Sequence, residues 1–399
     1  MTTLILTSRY CIVYDRPIAA ASKKDATSSQ KEEGRVVSRE LDSVTSAFMI
    51  RRLQKDILKS LLPPRFETLL FCRPSSMQCK LYKELTKGTS SDSLTTLTKL
   101  RKLCSHPDLL SDAETLGSNA GMDPNACSQA GKLDVLEGLL DAIRTENPTD
   151  KVVVVSNFTS ALTVIDNYIL KRRGWSSVRL DGTVEQSSRQ SIVDSFNRTS
   201  VDHSFVFLLS SKAGGCGLNL IGANRLVMYD LDWNPATDMQ AMARIYRQGQ
   251  KKECFIYRLL TSGTIEEVIF QRQTQKTNLD TMGSKNVARN QSNRFTDEEL
   301  KDCFTLKENC KCDTKNKIGS KWDEYIGVAS LLDQDVEDKP LLQLARKKPD
   351  VLTYVHLVKE SAPVIVELDI DDSEQLDGSG EDDWECFDED SEEEAEFEG

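Results

Sequence analysis

The sequence predicts an α/β fold in which helices cover both faces of a parallel sheet. From Gly131 onward, short apolar runs alternate with longer stretches of helical periodicity. One run, Val152–Val155, is an unbroken β-branched segment of the kind buried on both faces of a sheet. The spacing between runs is that of strand–helix–strand crossovers, which bring parallel strands side by side.

The elements before Gly131 are less regular. Residues 1–20 hold a short apolar run and no complete domain. Ser22–Ser38 is polar and charged and reads as a loop or insertion. Leu41–Leu62 reads as a helix with Val44, Phe48, Ile57, Leu58 and Leu61 available for a buried face, and Pro63-Pro64 stops it. Phe66–Cys72 reads as a strand, and Gln78–Thr86 and Leu94–Leu103 as helices. Ser111–Ser128, rich in Gly, Ser, Asn and Asp, reads as a linker.

The alternation then runs without interruption. Helix Lys132–Arg144 places Leu133, Leu136, Leu140 and Ile143 on a core stripe. Strand Val152–Val155, helix Ala161–Lys171, strand Ser177–Leu180 and helix Gln186–Phe196 follow. Strands Phe205–Leu209 and Arg225–Tyr229, helix Asp238–Tyr246, strand Cys254–Leu260 and helix Thr264–Thr277 complete it. Asn157, Asp181, Ser210 and Asp230 fall at C-terminal strand ends, where ligands of such sheets gather. Beyond Leu279 the order fades. Thr296–Glu299 has a capping-box pattern before a short helix reaching Phe304, and Trp322–Leu332 and Pro340–Lys359 read as small elements.

Composition narrows the partners. The chain of 399 residues carries a net charge of −12. Eighteen Asp or Glu and no Lys or Arg lie in Glu367–Gly399, so the rest holds 51 basic against 45 acidic side chains, a net +6. A mildly basic body is compatible with a polyanion, and the tail reads as a disordered acidic segment. The eleven cysteines are scattered through apolar runs, and no apolar stretch is long enough for a membrane span. Together these features predict a reducing compartment and mostly buried free thiols.

The densest chemical signal is FVFLLSSKAGGCGLNLIGANRLVMYDLDWNPATDMQAMARIYRQGQ, residues 205–250. On a continuous helix Gln240, Arg244 and Arg247 share one face, and two arginines with an amide beside a glycine-rich turn suit a phosphate. Lys212 and the backbone N–H groups around Gly214, Gly215 and Gly217 could touch phosphate as well. An isolated Arg-x-x-Arg is ordinarily a solvated helix face, a glycine turn alone a weak signal, and a lone Trp such as Trp233 a core residue. No G-x-x-x-x-G-K-[ST] phosphate loop occurs, since Gly131-Lys132 is followed by Leu133, and no Asp-Glu pair ends an apolar strand. Tight ATP binding by this chain alone is not expected. Cys310-x-Cys312 with Cys303 falls short of a four-ligand zinc site, so zinc is not expected; His106 and His203 read as structural.

The run Ser210–Gln250 resembles the second motor lobe of the SWI/SNF-type translocases of helicase superfamily two. Its marks are Ser-Lys-Ala-Gly-Gly-Cys-Gly-Leu-Asn-Leu, Asp-Leu-Asp-Trp-Asn-Pro and Gln-Ala-Met-Ala-Arg-Ile-Tyr-Arg-Gln-Gly-Gln, without gaps. A narrower resemblance, to the Rad-fifty-four recombination translocases, rests on Phe48–Arg52, Asp56–Pro63, Lys102–Pro107, Lys151–Phe158, Arg179–Thr183 and Tyr257–Glu267. It implies a RecA-like lobe, ATP-dependent translocation on double-stranded DNA in homologous recombination, a Rad-fifty-one-type recombinase as partner, and a nuclear location. By motif, Arg244 and Arg247 would be arginine fingers, and Gly217, Asp230 and Gln240 would belong to the ATP cleft. Lys212, Thr183 and Trp233 would face DNA. ATP and Mg2+ would be bound only when a first motor lobe completes the cleft. Tyr246 stands where an aromatic, often Trp, is usual, Gln248 occupies a variable position, and the family's cysteine-rich C-terminal element is reduced to Cys310 and Cys312.

The implied domains are a remnant of the first lobe at 1–20, an interlobe helical region and linker at 21–129, and the RecA-like lobe at 130–280. A C-terminal extension at 281–366 and the acidic tail at 367–399 follow. Two other readings are a chromatin-remodelling relative and a non-catalytic DNA-binding regulator.

Overall fold

A computed structural model describes residues 10–21, 27–46, 62–87, 93–110, 130–213, 217–281, 301–318, 328–332 and 336–358. The expected linker at 111–128, the Thr296–Glu299 capping box and the acidic tail lie outside these residues.

The centre is a seven-stranded sheet: β1 (Arg65–Cys72), β2 (Val152–Ser156), β3 (Ser177–Leu180), β4 (Val206–Ser210), β5 (Arg225–Met228), β6 (Cys254–Thr261) and β7 (Leu352–Val358). Its order is β3-β4-β2-β5-β6-β1-β7. The first six strands run parallel, and β7 pairs antiparallel with β1 at one edge. Val152–Val155 is fully buried, as its composition predicts, because β2 lies between β4 and β5 with both faces covered.

The period-two alternation sorts side chains to two cores. Val152, Val154, Val206, Leu208 and Val227 face α5 (Gly131–Glu146), α6 (Thr159–Ile165) and α12 (Lys339–Lys347). Val153, Val155, Phe207, Leu209 and Leu226 face the opposite way. They pack with α3 (Ser76–Thr86), α4 (Ser93–Ser105), α7 (Gln186–Arg198), α8 (Pro235–Met242) and α9 (Ile265–Thr281). Each wholly buried valine contributes about 1.5–3 kcal/mol relative to exposure. The predicted stripe Leu133, Leu136, Leu140 and Ile143 is wholly buried.

Two buried charges knit the layers. Lys132 at the start of α5 donates to the Tyr229 carbonyl at 2.9 Å and pairs with Glu266 of α9. Arg225 at the start of β5 donates to Asp150 at 2.8 Å and to Asp338, the residue before α12, at 2.9 Å. Tyr257 donates to the other oxygen of Asp338 at 2.6 Å.

Several expectations are corrected. The sheet reaches beyond the 130–280 span on both sides, recruiting β1 from the N-terminal segment and β7 from the C-terminal one. Residues 28–38, expected as a loop, belong to helix α2 (Ser28–Ser46), which follows the short α1 (Arg16–Ala21). A capping box explains the start of α2: Gln30 N–H donates to Thr27 Oγ1 at 3.3 Å, and Thr27 N–H donates to Gln30 Oε1 at 2.9 Å. Gly34 lets the two helices meet, since a Cβ there would lie 2.3 Å from that of Ala21. Val44, expected on a buried face, is exposed, and residues 47–61 lie outside those described. The helix expected over Ala161–Lys171 changes to a π-helical turn at Asp166–Lys171. After the short helices α10 (Asp313–Ile318) and α11 (Val328–Leu332), the segment 340–359 divides into α12 and the edge strand β7.

Candidate functional site

Parallel strands end at one edge of the sheet, so the loops after β2, β3, β4 and β5 gather there. Asp230, after β5, is buried and fully satisfied. Its carboxylate accepts from Ser156 Oγ, from Asn157 N–H at 2.9 Å and from Asn157 Nδ2 at 2.7 Å. Asn157 Oδ1 in turn accepts from Ser211 Oγ at 2.6 Å. One carboxylate and one amide thus tie the loops after β2, β4 and β5 into a single unit. Buried polar networks of this kind are rigid when every member is paired.

At the end of β3, Asp181 accepts from Arg179 Nε at 2.7 Å and from Thr183 N–H and Oγ1 at 3.0 and 2.6 Å. Burial opposes its ionisation, but the hydrogen bonds from Thr183 and Arg179 outweigh it and hold the carboxyl below its usual range. Thr183 is itself exposed, with its hydroxyl committed to this turn.

The expectation of one helical face for Gln240, Arg244 and Arg247 is corrected by where α8 stops. Asn234 caps its start, accepting from Ala236 N–H at 3.2 Å, and Pro235 occupies the first turn. The helix ends at Met242. Tyr246 N–H still donates to Met242 C=O at 3.3 Å, but Arg244 C=O accepts from Leu220 N–H at 3.0 Å, a contact with the preceding loop and not with the turn that follows. Arg247 C=O accepts from Gln250 N–H at 3.0 Å in a turn containing Gly249 at φ +98°. Gln250 latches this turn, donating to the carbonyls of Ala223 at 2.8 Å and Ile245 at 3.1 Å.

The turns still bring part of the triad together. Gln240 and Arg244 line one small cleft with Ser211, Thr237, Leu209 and Ala241. Arg247 stands apart from it, with Nη1 donating to Gly217 C=O at 2.7 Å. Gly217 sits at φ +59°, a conformation that suits glycine, and Gly214 and Gly215 lie outside the described residues. Lys212 is exposed directly after Ser211. Trp233 is half-buried against the second core. Tyr246 lies under the Arg65 guanidinium, 5.3 Å from its ring centre.

The cysteines sit differently from a metal cluster. Cys303 and Cys312 are buried in the second core, and Cys312 Sγ lies 3.9 Å from Glu267 Oε2. His356 is in β7, where burial pushes its imidazole down to about 3. Among the described residues, no three His, Cys, Asp or Glu side chains are placed to hold a metal ion. No helix among them is long and apolar enough to cross a membrane.

Sequence reasoning missed Asn157 as a bridge and Ser211 and Thr237 as cleft residues. It also missed Asp238, which accepts from Asp232 N–H at 3.1 Å and Gln273 Nε2 at 2.7 Å. The strand-end position of Asn157 was a usable signal. The pairing of Asp238 with Gln273, 35 positions apart, leaves no local trace.

Residues 131–249 match the helicase conserved C-terminal domain, and residues 10–109 match the SNF2-related domain. The chain is 42% identical over 324 residues to DNA repair protein rhp54 of Schizosaccharomyces pombe, covering 75% of this chain and 37% of that protein. It is 41% identical over 346 residues to DNA repair and recombination protein RAD54B of Mus musculus, covering 78% and 39%. It is 43% identical over 331 residues to DNA repair and recombination protein RAD54-like of Gallus gallus, covering 76% and 44%. The chain spans about two fifths of the length of these relatives.

Proposed function

The chain belongs to the SNF2-related family, with Rad54-type repair and recombination proteins as relatives, and from that premise we infer that it works as the second motor lobe of a duplex-DNA translocase. One observation carries this reading. The loops after β2, β4 and β5 are locked together by Asp230 and Asn157, beside a cleft that presents Arg244 and Gln240.

In this reading Arg244 and Arg247 act as arginine fingers on the transferring γ-phosphoryl group. A guanidinium has five N–H donors, so the bond from Arg247 to Gly217 does not exhaust it. That bond couples the finger to the glycine-rich loop. Gln240 lines the cleft beside Arg244, and Gly217 and Asp230 belong to the loops that would border the wider cleft between two lobes. The residues present fit the phosphate side of a nucleotide: a cation, an amide and two hydroxyls converge in the cleft. ATP with Mg2+ is held principally by a first lobe, since this sequence contains no phosphate loop. Closure of the cleft on ATP moves the DNA-gripping loops of the two lobes relative to one another.

Lys212, Thr183 and Trp233 grip the duplex, chiefly through backbone contacts that read little sequence. The setting is homologous recombination in the nucleus, with a Rad51-type recombinase as partner. A second reading, a non-catalytic DNA-binding regulator, is favoured by the missing phosphate loop. One experiment separates the two. Fused to the first lobe of the S. pombe relative, the chain should acquire DNA-stimulated ATP hydrolysis that neither part shows alone. A fusion that binds duplex but never hydrolyses ATP supports the regulator instead.

A further inference from the structure

Trp233 belongs to the Asp-Leu-Asp-Trp-Asn-Pro run, yet what holds it comes from a helix more than a hundred residues earlier in the chain. Arg101, on α4, donates from Nη2 to Leu231 C=O at 2.8 Å. The same guanidinium lies 6.0 Å from the centre of the Trp233 ring and 5.1 Å from that of Phe158, which follows β2. A planar guanidinium can donate from its edge while its face rests on an aromatic ring, in a fixed fork geometry that a lysine ammonium lacks.

The other side of the same run is held from α9. Gln273 Nε2 donates to Asp232 C=O at 2.5 Å and to Asp238 at 2.7 Å, and Asp238 accepts from Asp232 N–H at 3.1 Å. Leu231 and Asp232 are therefore gripped from two helices. Asn234 beyond them is exposed and Trp233 half-buried. A tryptophan so placed keeps an open edge without swinging into the core or out into solvent.

We propose that Arg101 is a positioning residue that fixes the Trp233 ring for duplex contact, coupling helix α4 to the DNA-gripping edge of the lobe. The proposal rests on the reading of Trp233 as a DNA-facing residue. Its orienting half stands on the Arg101–Leu231–Trp233 geometry alone.

The test uses the full chain and its variants Arg101→Ala, Arg101→Lys, Trp233→Ala and the double variant Arg101→Ala/Trp233→Ala. Acrylamide quenching of Trp233, taken as the difference from Trp233→Phe, reports the ring. Fluorescence anisotropy of a labelled duplex reports affinity, and thermal unfolding reports the fold. Both Arg101 variants should leave Trp233 more readily quenched and weaken duplex binding about tenfold, and the double variant should bind no more weakly than Trp233→Ala. Should Arg101→Ala fail to fold, Arg101→Lys carries the test, because it keeps the charge and loses the fork. Unchanged quenching in the folded variants overturns the proposal. So does full rescue by lysine, which would make Arg101 a simple phosphate contact, and so do additive losses in the double variant. If Trp233→Ala binds duplex normally, the DNA role of Trp233 falls and the proposal with it. The quenching result then still decides whether Arg101 orients the ring.

Discussion

At the scale of single residues, charge and burial separate the groups proposed to face DNA from the structural ones. Lys212 is exposed and follows a serine tied into the loop network, so its charge is presented by a rigid base. Lys212→Ala should weaken duplex binding uniformly across sequences and reduce the salt slope by about one. A slope that stays the same would remove Lys212 from the interface. Asp238 is a structural case. It is wholly buried, and burial pushes its carboxyl up to about 7 from 3.8, against the attraction of Arg258 and the hydrogen bond from Gln273. The folded chain therefore keeps a proton there that the unfolded chain releases. The stability contribution is complete below about pH 4 and falls as pH rises towards 7. Asp238→Asn should lose that decline, so urea midpoints of variant and parent should diverge in the variant's favour across this window. Parallel midpoints would mean that Asp238 titrates normally. Arg244, Gln240, Lys212 and Trp233 were legible as site candidates because their motifs are contiguous. Arg101 and Asp238 were not, because their partners meet them only through packing of distant elements.

At the scale of elements, periodicity located nearly every helix and strand from Gly131 to the end of α9, often within two residues. Its failures have local causes. Helix α8 runs over Pro235–Met242 and not over the expected Asp238–Tyr246: the Asn234 cap and Pro235 start it earlier, and the helical spacing of Gln240, Arg244 and Arg247 carries past its end, where Leu220 N–H captures the Arg244 carbonyl. Helix α2 is hidden in the sequence because its residues are polar, and only the Thr27–Gln30 capping box marks its start. Strand β7 was blurred into a larger segment because its apolar residues follow closely on those of α12. That C-terminal layer is anchored by the buried triad of Arg225, Asp338 and Tyr257. Side-chain exposures of 2% for Arg225 and 6% for Asp338 leave little water to compensate a lost partner. Asp338→Ala should cost about 3 kcal/mol of unfolding free energy, with the urea midpoint lowered and the slope unchanged. A loss below about 1 kcal/mol would place the pair among weakly coupled surface bridges.

For the whole molecule, the sheet unites three stretches of sequence: β1, the regular region from α5 to α9, and β7. Pattern alone could not assign β1 and β7 to that sheet, since a strand's neighbours are set by tertiary pairing and not by its own residues. Charge, by contrast, was plain in the composition. The eighteen acids of Glu367–Gly399 oppose a body of net +6. Deleting Glu367–Gly399 should tighten non-specific duplex binding, most of all at low salt, because screening acts over about 10 Å at 0.1 M. Equal affinities throughout a salt titration would leave the tail without electrostatic influence on DNA. In the proposed function this lobe supplies arginines to a cleft completed by a first lobe. Its most direct test is the rate of DNA-stimulated ATP hydrolysis by a fusion to the first lobe of the S. pombe relative, with Arg244→Ala and Arg247→Ala measured beside it. Hydrolysis should fall by about 10³-fold or more in each variant, with duplex affinity intact and poor rescue by lysine. Near-full hydrolysis in both variants would contradict it.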